Sequence, residues 1–243
     1  MRHNGQVAGV KLRVFYEDNH ILVAEKPAGM PSQADATGAP DMLCLVKSYV
    51  KEKYSKPGEA YIGLVHRLDR PAAGLMVFAR TSKAAARLAE QVRTRQMQKK
   101  YLAVVAGDGL PEQGRMEDYL LKDVGKNISR RAQPHEKGAK RAVLEYRVLE
   151  ARQGQALVLV HLETGRPHQI RLQFALRGWP LVGDAKYGSG GQDLALYSCF
   201  LGFLHPTKRE KMEFCALPRG GAFAGFEKRL REENFCGQIR NFL

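Results

Sequence analysis

The 243-residue chain is short of acid: 25 Asp and Glu stand against 39 Lys and Arg, for a formal net charge of +14. That deficit points to a polyanionic partner or an anionic membrane surface. No long amphipathic basic helix of the membrane-surface kind is present, so nucleic acid is favoured. Long apolar runs are missing too. The longest core-like stretches, Ala156 to Val160 and Gly74 to Ala79, fall well below the roughly 18 residues a membrane span needs. The opening MRHNGQVAG has no apolar h-region, so a secretory signal is not read and a cytoplasmic protein is expected. Cysteine is sparse. Cys44, Cys199, Cys215 and Cys236 show no Cys-x-x-Cys spacing and read as reduced thiols, implying neither a disulfide nor zinc.

Several site signatures are also lacking. Gly109 and Gly114 have Walker-like spacing but lead into Arg115 and Met116, where a phosphate loop needs Lys and Ser or Thr. No Gly-x-Gly-x-x-Gly follows a strand, and there is no Gly-x-Ser-x-Gly elbow. His66-Arg67-Leu68-Asp69 faintly resembles a kinase catalytic loop, but no Asp-Phe-Gly accompanies it. His66, His161, His168 and His205 are not spaced as metal ligands. No metal is expected.

What is present is an alternation of strand and helix patterns. Residues 1–11 carry no periodicity and read as a flexible tail. LRVFY and ILVAEKP form a strand pair across the turn-forming Glu17 to His20. A Gly/Ala/Pro/Ser-rich loop from Met30 to Pro40 precedes a helix capped by Asp41, with Leu43, Val46 and Val50 on one face. Thr81 or Ser82 caps a second helix with Ala85, Leu88, Ala89 and Val92 inward. Lys83, Arg87, Arg93, Arg95, Lys99 and Lys100 crowd its other face and exit, with Glu90 the only acid; such a run is usually a solvated face.

KKYLAVVAG follows as a strand, then a short strand from Arg115 to Leu121. The polar, basic segment Lys122 to Arg141 reads as a mobile loop. RAVLEYRVLEA and QALVLVHLET alternate and meet at Gln153-Gly154 as a hairpin. Gly165 to Arg171 opens a helix with Pro167 at its first position. A Gly-rich loop from Gly183 to Gly191, an apolar run to Leu204, a strand from Lys211 to Leu217 and an amphipathic helix around Phe223 to Phe235 complete the chain. With no repeat and no long linker, one mixed domain is the simplest account.

Within this pattern GLVHRLDRPAAGLMVFART stands out. An apolar strand leads into His66-Arg67-Leu68-Asp69-Arg70, Pro71 turns the chain, and Leu75 to Ala79 continue as a buried run. Asp69 is flanked by Arg67 and Arg70, which favour an ionised, oriented carboxylate. A surface ion-pair cluster would have the same composition.

His-Arg-Leu-Asp-Arg-Pro-x-x-Gly-Leu resembles the signature of the RluA-type pseudouridine synthases, and three further matches occur in that family's order. Lys26-Pro27-Ala28-Gly29 resembles its first motif, at the edge of the site. Lys100-Tyr101 resembles its Lys-x-Tyr-like element, and Gly165 to Arg171 resembles its Gly-Arg-Thr-His-Gln-Ile-Arg motif. The resemblance runs from Leu12 to Leu217. It departs at Ala72-Ala73, where relatives have Thr-Ser, and at Pro167, where they have Thr; both changes spare the charged residues. It implies an α+β catalytic fold with a mixed, mainly antiparallel central sheet flanked by helices. The catalytic domain would be 12–217 and a C-terminal helical extension 218–243. Nothing resembling the S4-type RNA-binding domain of many relatives is read before Leu12, so RNA is expected to be held by the catalytic domain.

By this resemblance Asp69 is the nucleophile, Arg171 pairs with it, and Tyr101 lies against the uracil. His66, Arg67, Arg70, Lys100, Arg166, His168 and Gln169 are the expected RNA or substrate contacts. A core aromatic on an alternating strand would look like Tyr101 as well. Turning uridine into pseudouridine breaks C1′–N1 and joins C1′ to C5, with no redox change or group donor, so no cofactor is expected. The expected partner is tRNA or rRNA, bound by a monomer. Two other readings stay open: an N-glycosidic hydrolase, for which no second carboxylate motif is found, and a non-catalytic RNA-binding protein.

Overall fold

The computed structural model describes residues 6–7, 10–55, 57–191 and 193–242. Strands β1 (Gln6–Val7), β2 (Val10–Lys11), β3 (Arg13–Glu17) and β4 (Ile21–Lys26) lead into helix α1 (Met42–Lys53), then β5 (Gly63–Leu64), β6 (Ala73–Ala79) and α2 (Ser82–Arg93). Next come β7 (Gln98–Ala106), β8 (Gln113–Asp123), β9 (Ile128–Ala132), β10 (Lys140–Arg152) and β11 (Gln155–Leu162). After α3 (Gln169–Ala175) follow β12 (Leu196–Leu204), β13 (Lys211–Cys215), α4 (Glu227–Leu230) and α5 (Phe235–Arg240). The paired strands are antiparallel, giving the α+β class expected. Of the expected flexible tail, residues 1–5, 8 and 9 lie outside the described residues, while β1 and β2 pair with each other.

The chain packs as two compact units, residues 1–97 with 201–214, and 98–200 with 215–243. In the first, β4 lies between β3 and β6, with pairs from Ile21↔Ala79 to Lys26↔Gly74. Both strands carry continuous apolar runs, so Ile21 to Ala24 and Leu75 to Ala79 are all buried. The β3–β4 turn is closed by Asp18, whose Oδ1 accepts the N–H groups of His20 and Ile21 at 2.8 and 2.9 Å. Asp41 caps α1 by accepting the Cys44 N–H, but the buried stripe is Met42, Leu45, Val46, Tyr49 and Val50, leaving Leu43 only half-buried.

Thr81 caps α2, whose inward face is Ala84, Leu88 and Gln91, with Ala89 exposed. The expected face is thus rotated, because Gln91 has a use inside. Its side-chain amide donates to Leu204 O and accepts from Leu204 N, both at 2.8 Å, satisfying a strand end as a backbone neighbour would.

In the second unit the strands run in the order β7, β11, β10, β8, β9. Gln153 and Gly154 have φ of 50° and 70°, and two positive φ values make the tight β10–β11 turn expected from the sequence. The segment Lys122 to Arg141 is corrected from mobile loop to hairpin: β8 runs on to Asp123, and β9 pairs with it from Tyr119↔Ala132 to Asp123↔Ile128. Its polarity suits an edge strand, where charged side chains deter stray pairing. Arg130 meets Glu136 at 2.6 Å, and Arg131 lies 3.6 Å from Asp118.

The C-terminal helix is corrected as well. A 3-10 turn (Gly221–Phe226), α4 and α5 replace one helix, with Asn234 in the left-handed region at φ 65° between the last two. Phe223, Phe226, Leu230, Phe235 and Ile239 are still buried, so the apolar stripe survives the break that hides it from a periodicity reading.

Cysteine is the third correction. Cys215 and Cys236 form a disulfide with Cα atoms 6.1 Å apart, while Cys44 and Cys199 stay free. The pair is 21 residues apart and meets only because α5 folds back on the end of β13, which no local spacing announces. Loop-closure entropy for that separation corresponds to about 3 kcal/mol. The Cys215→Ser/Cys236→Ser protein should lose about that much stability in urea unfolding, and reductant should change the parent protein in the same direction but not the variant.

Candidate active site

Strand β5 stops at Leu64, paired with Phe78, and residues 65–72 form a loop that carries Asp69. The loop is pinned residue by residue. The buried His66 ring accepts the Val77 N–H at its Nε2 (3.1 Å), so that nitrogen is unprotonated and the ring stands in for a strand partner of β6. The Ser32 hydroxyl accepts the Leu68 N–H (3.1 Å) and donates to the Leu68 carbonyl (2.8 Å). The Asp69 carbonyl accepts the Ala72 N–H at 3.0 Å, closing the turn around Pro71. Ala72 is buried at the end of that turn.

Lys26 completes the clamp. It is fully buried, and its Nζ donates to the carbonyls of Arg70 (3.0 Å), Pro27 (2.9 Å) and Met30 (2.6 Å). Burial pulls its pKa down to about 7, opposed by the Asp69 charge and assisted by that of Arg70. In the sequence Lys26 stands only as part of a motif at the site edge. The local hint is a lysine ending a strand whose first four residues, Ile21 to Ala24, are apolar. Arg70 Nε donates to Gly29 O (3.0 Å) and its Nη1 to the Thr37 hydroxyl (3.2 Å), with Asp35 at 3.5 Å. Arg70 therefore ties the 29–37 loop to the Asp69 loop. Arg67 is exposed and Asp69 half-exposed.

In the second unit Tyr101 is buried on β7, opposite Val160. Lys100 points to the other face of that strand. It is fully buried, its Nζ donates to Ile239 O (2.9 Å) and Arg240 O (2.8 Å), and it sits 5.0 Å over the Phe200 ring. An expected RNA contact is thus a buried cap on the last carbonyls of α5.

The helix after Gly165 starts at Gln169, not at Pro167, because His168 is left-handed at φ 54° and ends the turn. Gln169 holds that turn together. Its Oε1 accepts the Arg166 N–H (3.0 Å) and the Thr164 hydroxyl (2.8 Å), and its Nε2 donates to Val143 O (3.0 Å). Arg166 Nε donates to Arg141 O at 2.8 Å. The His168 Nδ1 lies 2.8 Å from the Tyr187 hydroxyl. His168 and Gln169, both expected at the RNA, are buried in these contacts.

Arg171 gives two parallel hydrogen bonds to Asp184, Nε to Oδ2 and Nη2 to Oδ1, each 2.7 Å, and lies 5.4 Å over the Tyr187 ring. Asp184 is fully buried and also accepts the N–H groups of Lys186 and Tyr187. Burial alone would raise its pKa; the Arg171 hydrogen bonds and these N–H groups hold it below the usual carboxylate value. Asp184 and Tyr187 were passed over in the Gly-rich loop, where an aspartate three residues before a tyrosine is the only local hint.

A family model described as RNA pseudouridylate synthase matches residues 20–176. The chain belongs to the RNA pseudouridylate synthase family. It is 33% identical over 222 residues to ribosomal large subunit pseudouridine synthase D of Zymomonas mobilis, covering 85% of this chain and 69% of that one. With the protein of the same name from Yersinia pestis it shares 34% over 229 residues, 86% of this chain and 68% of that one. The structure of human RNA Pseudouridylate Synthase Domain Containing 4 superposes with a TM-score of 0.74 at 24% identity, over 91% of this chain and 94% of that one, a likeness of fold. The family is one of isomerases acting on RNA, of the RluA type that the motifs resemble, and the matched span holds Asp69, Tyr101 and Arg171.

Removing one partner of a buried ion pair strands the other, at about 3–5 kcal/mol. Asp184→Asn should cost that much in urea unfolding at neutral pH. Because the folded carboxyl pKa is depressed, this contribution is present above the unfolded value and should shrink as pH falls through the folded one. Lys26 changes stability with pH in the same direction, because its folded pKa is lowered too. The unfolded chain holds its proton up to about 10.5 and the folded chain only to about 7. Parent stability should therefore rise between those pH values relative to Lys26→Met.

Proposed function

We propose that this protein isomerises uridine to pseudouridine in RNA, with Asp69 as the nucleophile. The observation that carries the reading is the Asp69 loop, held at His66, Leu68, Asp69 and Arg70 while Asp69 itself stays half-exposed. A surface turn that merely joins strands has no need of such pinning. A reacting carboxylate has, because small misplacements cost large factors in rate.

Asp69 attacks either the sugar or the uracil ring. The C1′–N1 bond breaks, the base turns, C1′ joins C5 and the bond to Asp69 is given up, returning the carboxylate, while the C5 proton leaves and N1 gains one. By the family resemblance, Arg171, whose guanidinium is oriented by Asp184, is the arginine assigned to the nucleophile. Tyr101 lies against the uracil and assists proton removal. No bond change calls for a metal or cofactor.

A stacked, paired base cannot reach a carboxylate held in a loop, so the target uridine is flipped out. Arg67 is better suited than the buried His66 to fill the gap. The substrate is tRNA or rRNA, and the names of the bacterial relatives favour large-subunit rRNA. Residues 12–217 would form the catalytic domain and 218–243 its helical extension, acting as a monomer in the cytoplasm.

Asp69→Asn should abolish pseudouridine formation, measured on RNA mapped with and without the protein, while RNA affinity stays within about twofold because the fold and basic surface are untouched. Pseudouridine formed by that variant would remove Asp69 from the nucleophile role.

A further inference from the structure

Among the described residues two lysines are fully buried, and both are hydrogen-bonded. Lys26 donates to three carbonyls and Lys100 to two. Lys99 differs. It is half-buried on β7, yet among the described residues no hydrogen bond or ion pair ends on its ammonium. Burial with nothing opposing it lowers its pKa. An ammonium withdrawn from water beside no anion is costly to keep and is therefore a candidate for receiving one from outside.

Its position narrows the choice. Alternation along β7 sets Lys99 on the same face as Tyr101 and opposite to Lys100. The two residues are separated by about 7 Å along the strand, comparable with the distance from a nucleobase to its own phosphate. On one side stands Gly165, where an added Cβ would lie 3.5 Å from the Lys99 Nζ. The Lys99 ammonium thus lies beside the head of the Gly165–Arg171 motif.

We propose that Lys99 binds a backbone phosphate of the RNA next to the nucleotide that lies against Tyr101. The inference rests on the reading of Tyr101 as the uracil-facing residue. A compact ammonium suits a phosphate as a point charge. With an RNA phosphate in place its half-buried charge gains the counter-charge that the protein withholds.

The test compares Lys99→Met and Lys99→Arg, each combined with Asp69→Asn, against Asp69→Asn alone, in binding a short single-stranded oligouridylate over a series of salt concentrations. Lys99→Met should weaken binding about tenfold at low salt and reduce the slope of log affinity against log salt by about 0.7, as expected for one lost phosphate contact on a single strand. Lys99→Arg should restore the slope. The melting temperature of Lys99→Met should be equal or higher, because an uncompensated charge is gone. An unchanged salt slope overturns the proposal and points to a neutral uracil contact. A lower melting temperature with no rescue by arginine overturns it in favour of a structural role. Failure of the Asp69 reading would show separately, as pseudouridine formed by the Asp69→Asn protein with Lys99 intact.

Discussion

A charge taken out of water must be met by hydrogen bonds or a counter-charge, and this requirement shapes the parts of the chain that matter for function. Lys26 gathers the carbonyls of Pro27, Met30 and Arg70 and so fixes the backbone immediately after Asp69. Arg171 and Asp184 lock each other in a two-bond pair, which joins the first turn of α3 to the Gly-rich loop. Lys100 gathers the last carbonyls of α5 and fastens the C-terminal segment beneath β7. In each case the burial that makes the charge expensive also excludes the water that would loosen it.

The chemistry follows from that rigidity. On the proposed reading, the isomerisation depends on one carboxylate at the right place and on groups that keep it aimed. Neutral contacts do the rest of the positioning. Ser32 and His66 replace strand partners where β5 has already ended, and Gln169 folds the turn before α3. Polar residues in these places look unremarkable in a list of side chains. Their value lies in satisfying backbone groups that no regular element can reach.

Elements whose residues decide their own structure were legible in the sequence: the β3–β4 pair, the caps Asp41 and Thr81, and the Gln153-Gly154 hairpin all follow from local chemistry. The family motifs are what single out Asp69, Tyr101 and Arg171 for the proposed site. What was missed depends on distant parts of the chain. The face of α2 turns on what Gln91 meets at Leu204, β9 on an edge partner, and the Cys215–Cys236 bond on α5 folding back. Lys100 and Gln169 were read as RNA contacts because charge and motif were visible while burial was not. Asp184 escaped notice because its meaning comes entirely from Arg171.

The most direct test of the account is to incubate the purified protein with RNA transcribed in vitro, in buffer alone, and to quantify pseudouridine and free uracil by mass spectrometry. Pseudouridine without released uracil is the predicted result, since the broken C1′–N1 bond is replaced within the same nucleotide. Free uracil with abasic RNA would contradict it and make the protein a glycosidic hydrolase.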